Sequence, residues 1–409
     1  MAGHTAVPHR DGASTSALVR GSREESLGLL FEAVLTRGPV SRRDAARLTG
    51  LSPASVTKLV RPMIEHGYLV EHDREAGVPG RPQIPLEVAS SRHFAVGIKV
   101  TPHEVIGVLC DLHAEPQASV RRAIDRTTPE QVVAAIEQVT EELLAAYPVE
   151  RDRLLGIGVG MSGHVNGETG EVLSSSLLGW DRVPLRQLLS DRTGLPVLIE
   201  NDVNTLAIAE QWFGPGSGYA SFAVVTVGAG VGCGLVLDGR LWRGVSGAAG
   251  EFGHTVIDPQ GPPCSCGKRG CVEAFAGDRA IVDAMNQASA EPVADVAQIV
   301  ARAHQGDETA RRVFVEAGTA LGGALATLVS LVNPPLVILS GEGVAASDLF
   351  MDALSTALAR NAFSTTAADC ELLVRPLPDE TWARGAAAAM LRHGVLGSLG
   401  ALRAEVVTT

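Results

Sequence analysis

Aromatic residues are scarce in this chain: nine Phe, three Tyr and four Trp make up 4% of 409 residues, against 45 Gly. That bias carries no functional meaning by itself. Long apolar runs are missing: no stretch of about 20 consecutive apolar residues, the length a membrane-spanning helix needs, is present. The N-terminus lacks a basic region leading into an apolar segment, so no secretory signal is read there and a soluble, cytoplasmic protein without membrane attachment is expected. Cysteine is limited to six residues, three of them grouped like metal ligands, which fits a reducing compartment better than a disulfide framework. What is present is substantial. An apolar content of 45% over this length supports a large core and two or three domains, and excludes a disordered chain.

Positive charge is short overall, with a net charge of −12, which taken globally argues against nucleic acid as a partner. Its distribution argues otherwise. Residues 1–90 carry 11 Lys and Arg against 10 Asp and Glu, whereas residues 91–409 carry 23 against 36. Between positions 37 and 62, Arg37, Arg42, Arg43, Arg47, Lys58 and Arg61 face only Asp44, a local footprint suited to phosphate contacts. The hydrophobic pattern over the same region predicts three helices. Leu27, Leu30, Phe31 and Val34 recur at helical spacing over 24–36 until Gly38-Pro39 breaks the helix. Ser41 caps a second helix with Asp44 in its first turn, and Gly50 stops it. Ser52 caps a third, with Pro53 at its first position and Val56, Leu59, Val60, Met63 and Ile64 as its buried stripe. Pro62 removes the amide that would bond to the Lys58 carbonyl, so a kink or early end is expected there.

The opposite face of that third helix presents Ser55, Thr57, Lys58 and Arg61 after a tight turn, the arrangement of a helix-turn-helix reading helix. Beyond Gly67, two short apolar runs flank a loop rich in Gly and Pro, which predicts a β-hairpin wing. Arg81, between Gly80 and Pro82 at its tip, is suited to a minor groove. The candidate DNA-contacting set is therefore Arg42, Ser52, Ser55, Thr57, Lys58, Arg61 and Arg81. Residues 1–22 read as a flexible tail and 23–90 as a winged helix-turn-helix domain.

From Phe94 the pattern becomes α/β. Two strands joined by a tight turn are followed by a helix at 129–146, a strand at 154–160 and a strand-turn-helix at VLIENDVNTLAIAE. FAVVTVGAGVGCGLVLDG predicts a glycine-rich hairpin; a helix at 311–331, the strand LVILSGEGV and a last helix from Arg384 follow. Strand hairpins interleaved with helices in two similar halves predict two lobes with a cleft between them. The small lobe is assigned to about 91–200 plus the C-terminal helix, and the large lobe to about 201–383, within an effector domain at 91–409.

The segment GAAGEFGH (247–254), followed by Cys264, Cys266 and Cys271, carries the sharpest chemical signal. His254 and the three thiols supply four donors within 18 residues, the set a structural Zn2+ site takes, and Gly267 and Gly270 permit the backbone reversals of such a knuckle. With all four positions filled by protein, such a site stiffens a loop rather than activating water. Glu251, His254 and Glu273 flank it and are suited to gripping a hydroxyl-rich ligand.

GAAGEFGH with CSCGKRGCVE, IENDVN and TVGAGVGCG together resemble the sugar-and-zinc, sugar-and-base and second phosphate motifs of the ROK family, named for repressors, open reading frames and sugar kinases. The resemblance spans about residues 24–400 and implies an actin-like (sugar-kinase and RNase H-like) ATPase-type fold. It further implies that Asn201, Asp202, Glu251, His254 and Glu273 touch sugar hydroxyls, and that His254, Cys264, Cys266 and Cys271 hold zinc. Asp202 falls where the kinases of the family keep their general base. The kinases carry Asp-x-Gly-Gly-Thr in the first hairpin, and here Lys99, Thr101, Pro102 and His103 fall at those positions. Proline has no amide hydrogen to offer a phosphate, and a lysine cannot replace an acid that organises Mg2+. Asp202 is then a vestigial base that hydrogen-bonds hydroxyls without transferring a phosphoryl group. The expectation is a sugar-responsive regulator of transcription, placed in the repressor branch by its degenerate hairpin, with a sugar or sugar-phosphate effector, operator DNA and a homodimer or homotetramer. An ATP-dependent sugar kinase bearing an accessory DNA-binding domain is the alternative.

Overall fold

The computed structural model describes residues 23–72 and 84–406; the expected tail at 1–22 and the wing tip with Arg81 lie outside the described residues. Helix α1 (Arg23–Arg37), strand β1 (Val40–Ser41), α2 (Arg42–Thr49), α3 (Pro53–Glu65), β2 (Leu69–Glu71) and β3 (Pro85–Val88) form the amino-terminal unit. Its strands pair in the order β1-β3-β2, which makes three helices and a small sheet: a winged helix. Ser41 and Ser52 cap α2 and α3 by accepting the amides of Asp44 and Ser55, and Gly50 closes α2 in the left-handed region. The expected break at Pro62 does not occur. Helix α3 continues to Glu65, because Pro62 falls in its last turn and Val56, Leu59, Val60 and Met63 anchor the helix on both sides of it.

The rest of the chain builds the same five-stranded sheet twice. In the first, β4 (Phe94–Val100), β5 (Glu104–Asp111) and β6 (Pro116–Ala123) form an antiparallel meander. Helix α4 (Pro129–Ala146) then leads to β7 (Leu154–Met161), parallel to β4. Strand β6 is not evident from the sequence; its exposed, alternating surface hides it among loop residues. A small sheet of β8 (His164–Asn166), β9 (Glu171–Ser175) and β10 (Trp180–Val183) follows, equally unannounced by the sequence pattern. Helix α5 (Leu185–Thr193) and β11 (Val197–Asn201) complete the order β11-β7-β4-β5-β6.

Helix α6 (Asp202–Phe213) then crosses to the second sheet, where β12 (Phe222–Val227), β13 (Val231–Leu237) and β14 (Arg240–Leu241) repeat the meander. After helices α7 (Glu273–Ala276), α8 (Asp278–Ala288), α9 (Val296–His304) and α10 (Glu308–Val332), strand β15 (Leu336–Ser340) pairs parallel to β12. Helix α11 (Ser347–Asn361) and β16 (Glu371–Val374) give the order β14-β13-β12-β15-β16. Two sheets of matching order facing a shared pair of helices is the actin-like, two-lobed architecture. Helix α10 is long and apolar enough to cross a membrane by length and composition, but Phe314, Leu321, Leu325 and Val329 bury one face of it in the second core.

The last helix, α12 (Glu380–Val406), ties the molecule together. It lies so close to the first sheet that only glycine fits beneath it: a Cβ on Gly97 would sit 2.0 Å from the Ala383 carbonyl oxygen, and one on Gly158 would sit 2.0 Å from that of Ala386. On its other side Gly385 meets α6, where a Cβ would lie 1.9 Å from the Thr205 carbonyl. Farther along, Ala387, Leu391 and Val395 join Leu27, Leu30, Phe31 and Leu59 in one continuous core, so winged helix and effector domain share their interior. Arg392 pairs with Glu32 at 2.5 Å over this joint.

The close crossing reverses an ordinary helix rule. Gly to Ala inside a helix usually stabilises by about 0.5–1 kcal/mol. Gly385→Ala is expected to destabilise by about 1–3 kcal/mol through forced separation of α12 and α6, while Gly397→Ala, with nothing within 4 Å of its Cβ, stays neutral or gains. Urea unfolding of both variants measures the difference.

Candidate functional site

Between β14 and α7 the chain wraps back over β13 as a long loop. Gly250 and Gly253 let it lie on that strand, since Cβ atoms there would be 2.1 Å and 1.9 Å from the carbonyl oxygens of Cys233 and Val231. The knuckle itself turns at Gly267 (φ +87) and Gly270 (φ +67), both in the left-handed region, and is pinned by isolated bridges between Val256 and Cys271 and between Pro263 and Arg269. These turns bring the donor atoms of His254, Cys264, Cys266 and Cys271 within 4.8 Å of one another. A tetrahedral site with metal–sulfur bonds of about 2.3 Å and a metal–nitrogen bond of about 2.0 Å requires sulfur–sulfur separations near about 3.8 Å and sulfur–nitrogen near about 3.5 Å. Cys266 and Cys271 are 3.7 Å apart, and Cys264 lies 3.5 Å from Nδ1 of His254. Burial, then the neighbouring sulfurs of Cys266 and Cys264, push the Cys271 thiol up to about 12. Against the effect of burial, the Cys266 thiol, taking bonds from the Lys268 amide and its neighbours' sulfurs, is shifted the other way, down. Sulfurs crowded at these spacings become thiolates when a cation balances them, so the donor set fits a metal ion.

The two nitrogens of His254 face different partners. Nδ1 faces the sulfurs, while Nε2 lies 3.9 Å from Glu251 Oε2. A metal on Nδ1 fixes the proton on Nε2, which then points as a donor away from the knuckle toward Glu251. Glu273, at the start of α7, bridges the knuckle to the sheet: its Oε1 accepts from Ser265 Oγ at 3.1 Å and its Oε2 from the Val231 amide at 3.2 Å.

The other sugar-contact candidates sit where β11 becomes α6. Asn201 caps that helix, its Oδ1 accepting from Val203 N at 2.9 Å and Asn204 N at 3.2 Å, and its Nδ2 donating to the Gly163 carbonyl at 3.1 Å. The residue therefore fixes the junction whatever else it touches. Asp202 accepts the Val203 amide at 2.9 Å. Its pKa is raised to about 6, by burial above all, with the charge of Lys99 opposing the rise and that of Glu342 adding to it. Both groups border β13: a Cβ on Gly232 would lie 2.6 Å from the Val203 side chain, and the adjoining Val231 amide is the one held by Glu273.

Next to Asp202, the position of Lys99 is the main surprise of the cleft. Its side chain is 6% exposed, and its ammonium lies 2.6 Å from Asp379 Oδ1, 3.5 Å from Glu342 Oε1 and 4.4 Å from the Trp382 ring centroid. Lys99 comes from the first sheet, Glu342 from the turn after β15 in the second, and Asp379 from the residue before α12, so one ammonium joins both lobes and the connecting helix. The first hairpin turn is closed on itself, with Thr101 Oγ1 accepting the Glu104 amide at 3.0 Å and donating to the Glu104 carbonyl. The glycine loop after β12 has carboxylates close beside it: Cβ atoms on Gly228 and Gly230 would meet Glu342 Oε2 at 2.5 Å and Glu273 Oε2 at 2.9 Å. Sequence reasoning does not single out Glu342 or Asp379. Nor does it find Glu200, which is buried and takes Asn201 N, Asn204 Nδ2 and Arg243 Nε at 2.9, 2.9 and 2.6 Å. An acid between two glycines in SGEGV is the one available signal.

On the winged helix, Ser52, Thr57, Lys58 and Arg61 are exposed on α3 and Ser55 is half-buried behind the cap. Thr57 Oγ1 bonds the Pro53 carbonyl at 2.9 Å, and Arg61, 82% exposed at its side chain, pairs with Glu65 at 2.7 Å. Arg42 is half-buried and ion-paired with Glu71 on β2, so it braces the wing as well as adding charge.

A family model described as ROK family matches residues 95–393. The xylose repressor of Caldicellulosiruptor bescii is 28% identical over 379 residues, covering 89% of this chain and 94% of the relative. The DNA-binding transcriptional dual regulator NagC of Escherichia coli (strain K12) is 28% identical over 329 residues, 78% of this chain and 81% of its own. Among solved structures, a ROK family transcriptional regulator described as a homologue of the E. coli MLC protein superposes with a TM-score of 0.78 at 28% identity, over 92% of this chain and 98% of that one. A ROK family glucokinase from Streptomyces griseus, in complex with glucose and AMPPNP, gives 0.62 at 28% identity, over 72% of this chain and 98% of that one. The regulator covers 92% of this chain against 72% for the kinase, a margin wide enough to take in much of the amino-terminal unit. With its twin sheets, its knuckle of three cysteines and a histidine, and these matches, the chain belongs to the ROK family.

Proposed function

We propose that this protein is a sugar-responsive transcriptional repressor in which the winged helix binds operator DNA and the two-lobed domain senses carbohydrate without phosphorylating it. The observation that carries the reading is the Lys99–Glu342–Asp379 cluster: a buried lysine and the two carboxylates paired with it occupy the ground on which a kinase would seat the phosphates of ATP. Asp202 serves as a hydrogen-bond acceptor for a sugar hydroxyl, with Glu251, Glu273, Nε2 of His254 and the amide of Asn201 as its partners in the site. The resident metal is zinc, held by His254, Cys264, Cys266 and Cys271; it supplies stiffness to the loop that carries Glu251 and Glu273. A single winged helix makes few contacts, so the working form is a homodimer or higher assembly on paired half-sites, acting in the cytoplasm. Sugar alters DNA affinity only through unequal affinity for two arrangements of the protein, and lobe closure around the ligand supplies such a pair.

Selection of bound fragments from the native genome, with and without a panel of sugars, tests this directly. A sugar-dependent change in a discrete set of fragments is expected, along with no ADP release above background from ATP and the same sugars; brisk ADP release would make the protein a kinase instead. Cys266→Ser is expected to lower bound zinc from about one per chain and to remove the sugar response while operator binding persists. Metal analysis and gel-shift titration measure the two effects. Replacing Lys58 with Ala, or Arg61 with Ala, is expected to weaken operator binding across sequences. The slope of log K against log salt should become shallower by about 1 for every phosphate that the variant no longer neutralises.

A further inference from the structure

The sugar reading leaves open whether the effector carries a phosphate, and the inner end of the cleft bears on that choice. We infer that the effector is unphosphorylated at the hydroxyl that meets Asp202, and that Glu342 is the residue that rejects a phosphate there. This inference rests on the sugar-sensing function proposed above.

Three observations support it. First, the glycine loop that would offer bare backbone to an anion already has a carboxylate against it: Glu342 Oε2 lies 2.5 Å from where a Gly228 Cβ would stand. Second, the charge of the pocket is negative. Asp202, Asp278, Glu342 and Asp379 converge there, and Glu342 raises the proton affinity of both Asp202 and Asp278. Third, the cations in contact with this set are committed. Lys99 is shared by Asp379 and Glu342, and Arg121 by Glu104 and Glu380 at 3.0 Å each, as well as by Asp379 at 3.5 Å. A phosphate ester on the hydroxyl held by Asp202 would place a dianion against this group, whose cations Lys99 and Arg121 are already paired. A neutral hydroxyl there finds an acceptor instead. Rejection by a like charge is the usual way a site separates two ligands that share most of their contacts.

The lysine is what makes the arrangement durable. Without Lys99 the carboxylates would repel one another, and with it they are held in place but not neutralised. Glu342 itself is 65% exposed at its side chain, so replacing it does not remove a core residue.

Calorimetric titration of the full-length, zinc-loaded protein with D-xylose, D-glucose, D-mannose and N-acetyl-D-glucosamine, and with the 6-phosphates of the last three, tests the inference. Binding is expected for a free sugar and at least about tenfold weaker binding for its 6-phosphate, the difference that one unrelieved like-charge contact produces. In Glu342→Gln the ratio of phosphate-ester to free-sugar affinity is expected to rise by about tenfold. A 6-phosphate that binds the native protein more tightly than its parent sugar overturns the inference and leaves the sensing function intact, as does an unchanged ratio in Glu342→Gln. No heat from any sugar or sugar phosphate removes the sensing function itself, and the inference with it.

Discussion

The contact on which the rest of the molecule depends is the backbone-to-backbone approach of the last helix to the first sheet. Gly97 and Gly158 present no side chain to α12, and Gly385 presents none to α6, so three layers lie closer than any larger residue allows. Close packing of that kind has low tolerance for displacement, because the neighbours have no free volume into which to relax. The residue just before α12 is Asp379, a partner of Lys99 in the cleft, and the far part of the same helix packs on α1 of the winged helix. One rigid rod thus begins at the cleft and ends in the core of the DNA-binding unit.

In the function proposed above, the cleft uses inherited geometry for a changed chemistry. Twin sheets set β11 and the glycine loop after β12 face to face, which in a kinase aligns a base with a phosphate. Here Asp202 opens α6, the first hairpin closes on Thr101, and Glu342 stands against the second loop. A lysine among acids is costly to bury unless its charge is matched, and Lys99 is matched twice, which explains how so unconservative a residue is accommodated at 5% exposure.

Much of this is legible in the sequence because the relevant signals are local. Ser41, Ser52, Gly50 and Pro53 mark helix ends by mechanisms that operate within three residues, and His254 and the three cysteines grouped with it lie within 18 positions. The parts that are not legible depend on contacts across long separations. Lys99 finds Asp379 across 280 positions, and nothing near either residue announces the other. Strand β6 has no continuous apolar face, and Pro62 reads as a helix breaker because the burial that overrides it is contributed by the whole domain. Asn201 illustrates an intermediate case: its placement before a helix is readable, but its service as the cap of α6 emerges only from the bonds it makes.

The shared interior between α1 and α12 has a bearing on how such a protein is assembled from parts. Leu27, Leu30 and Phe31 rely on Ala387, Leu391 and Val395 for cover, so the DNA-binding unit is completed by a segment from the opposite end of the chain. Grafting it onto a foreign sensor by joining at the linker after β3 would leave that apolar seam bare. The exchangeable module is discontinuous, made of both termini, and new specificities in this architecture arise most readily by altering the exposed residues of α3 rather than by shuffling the unit as a whole.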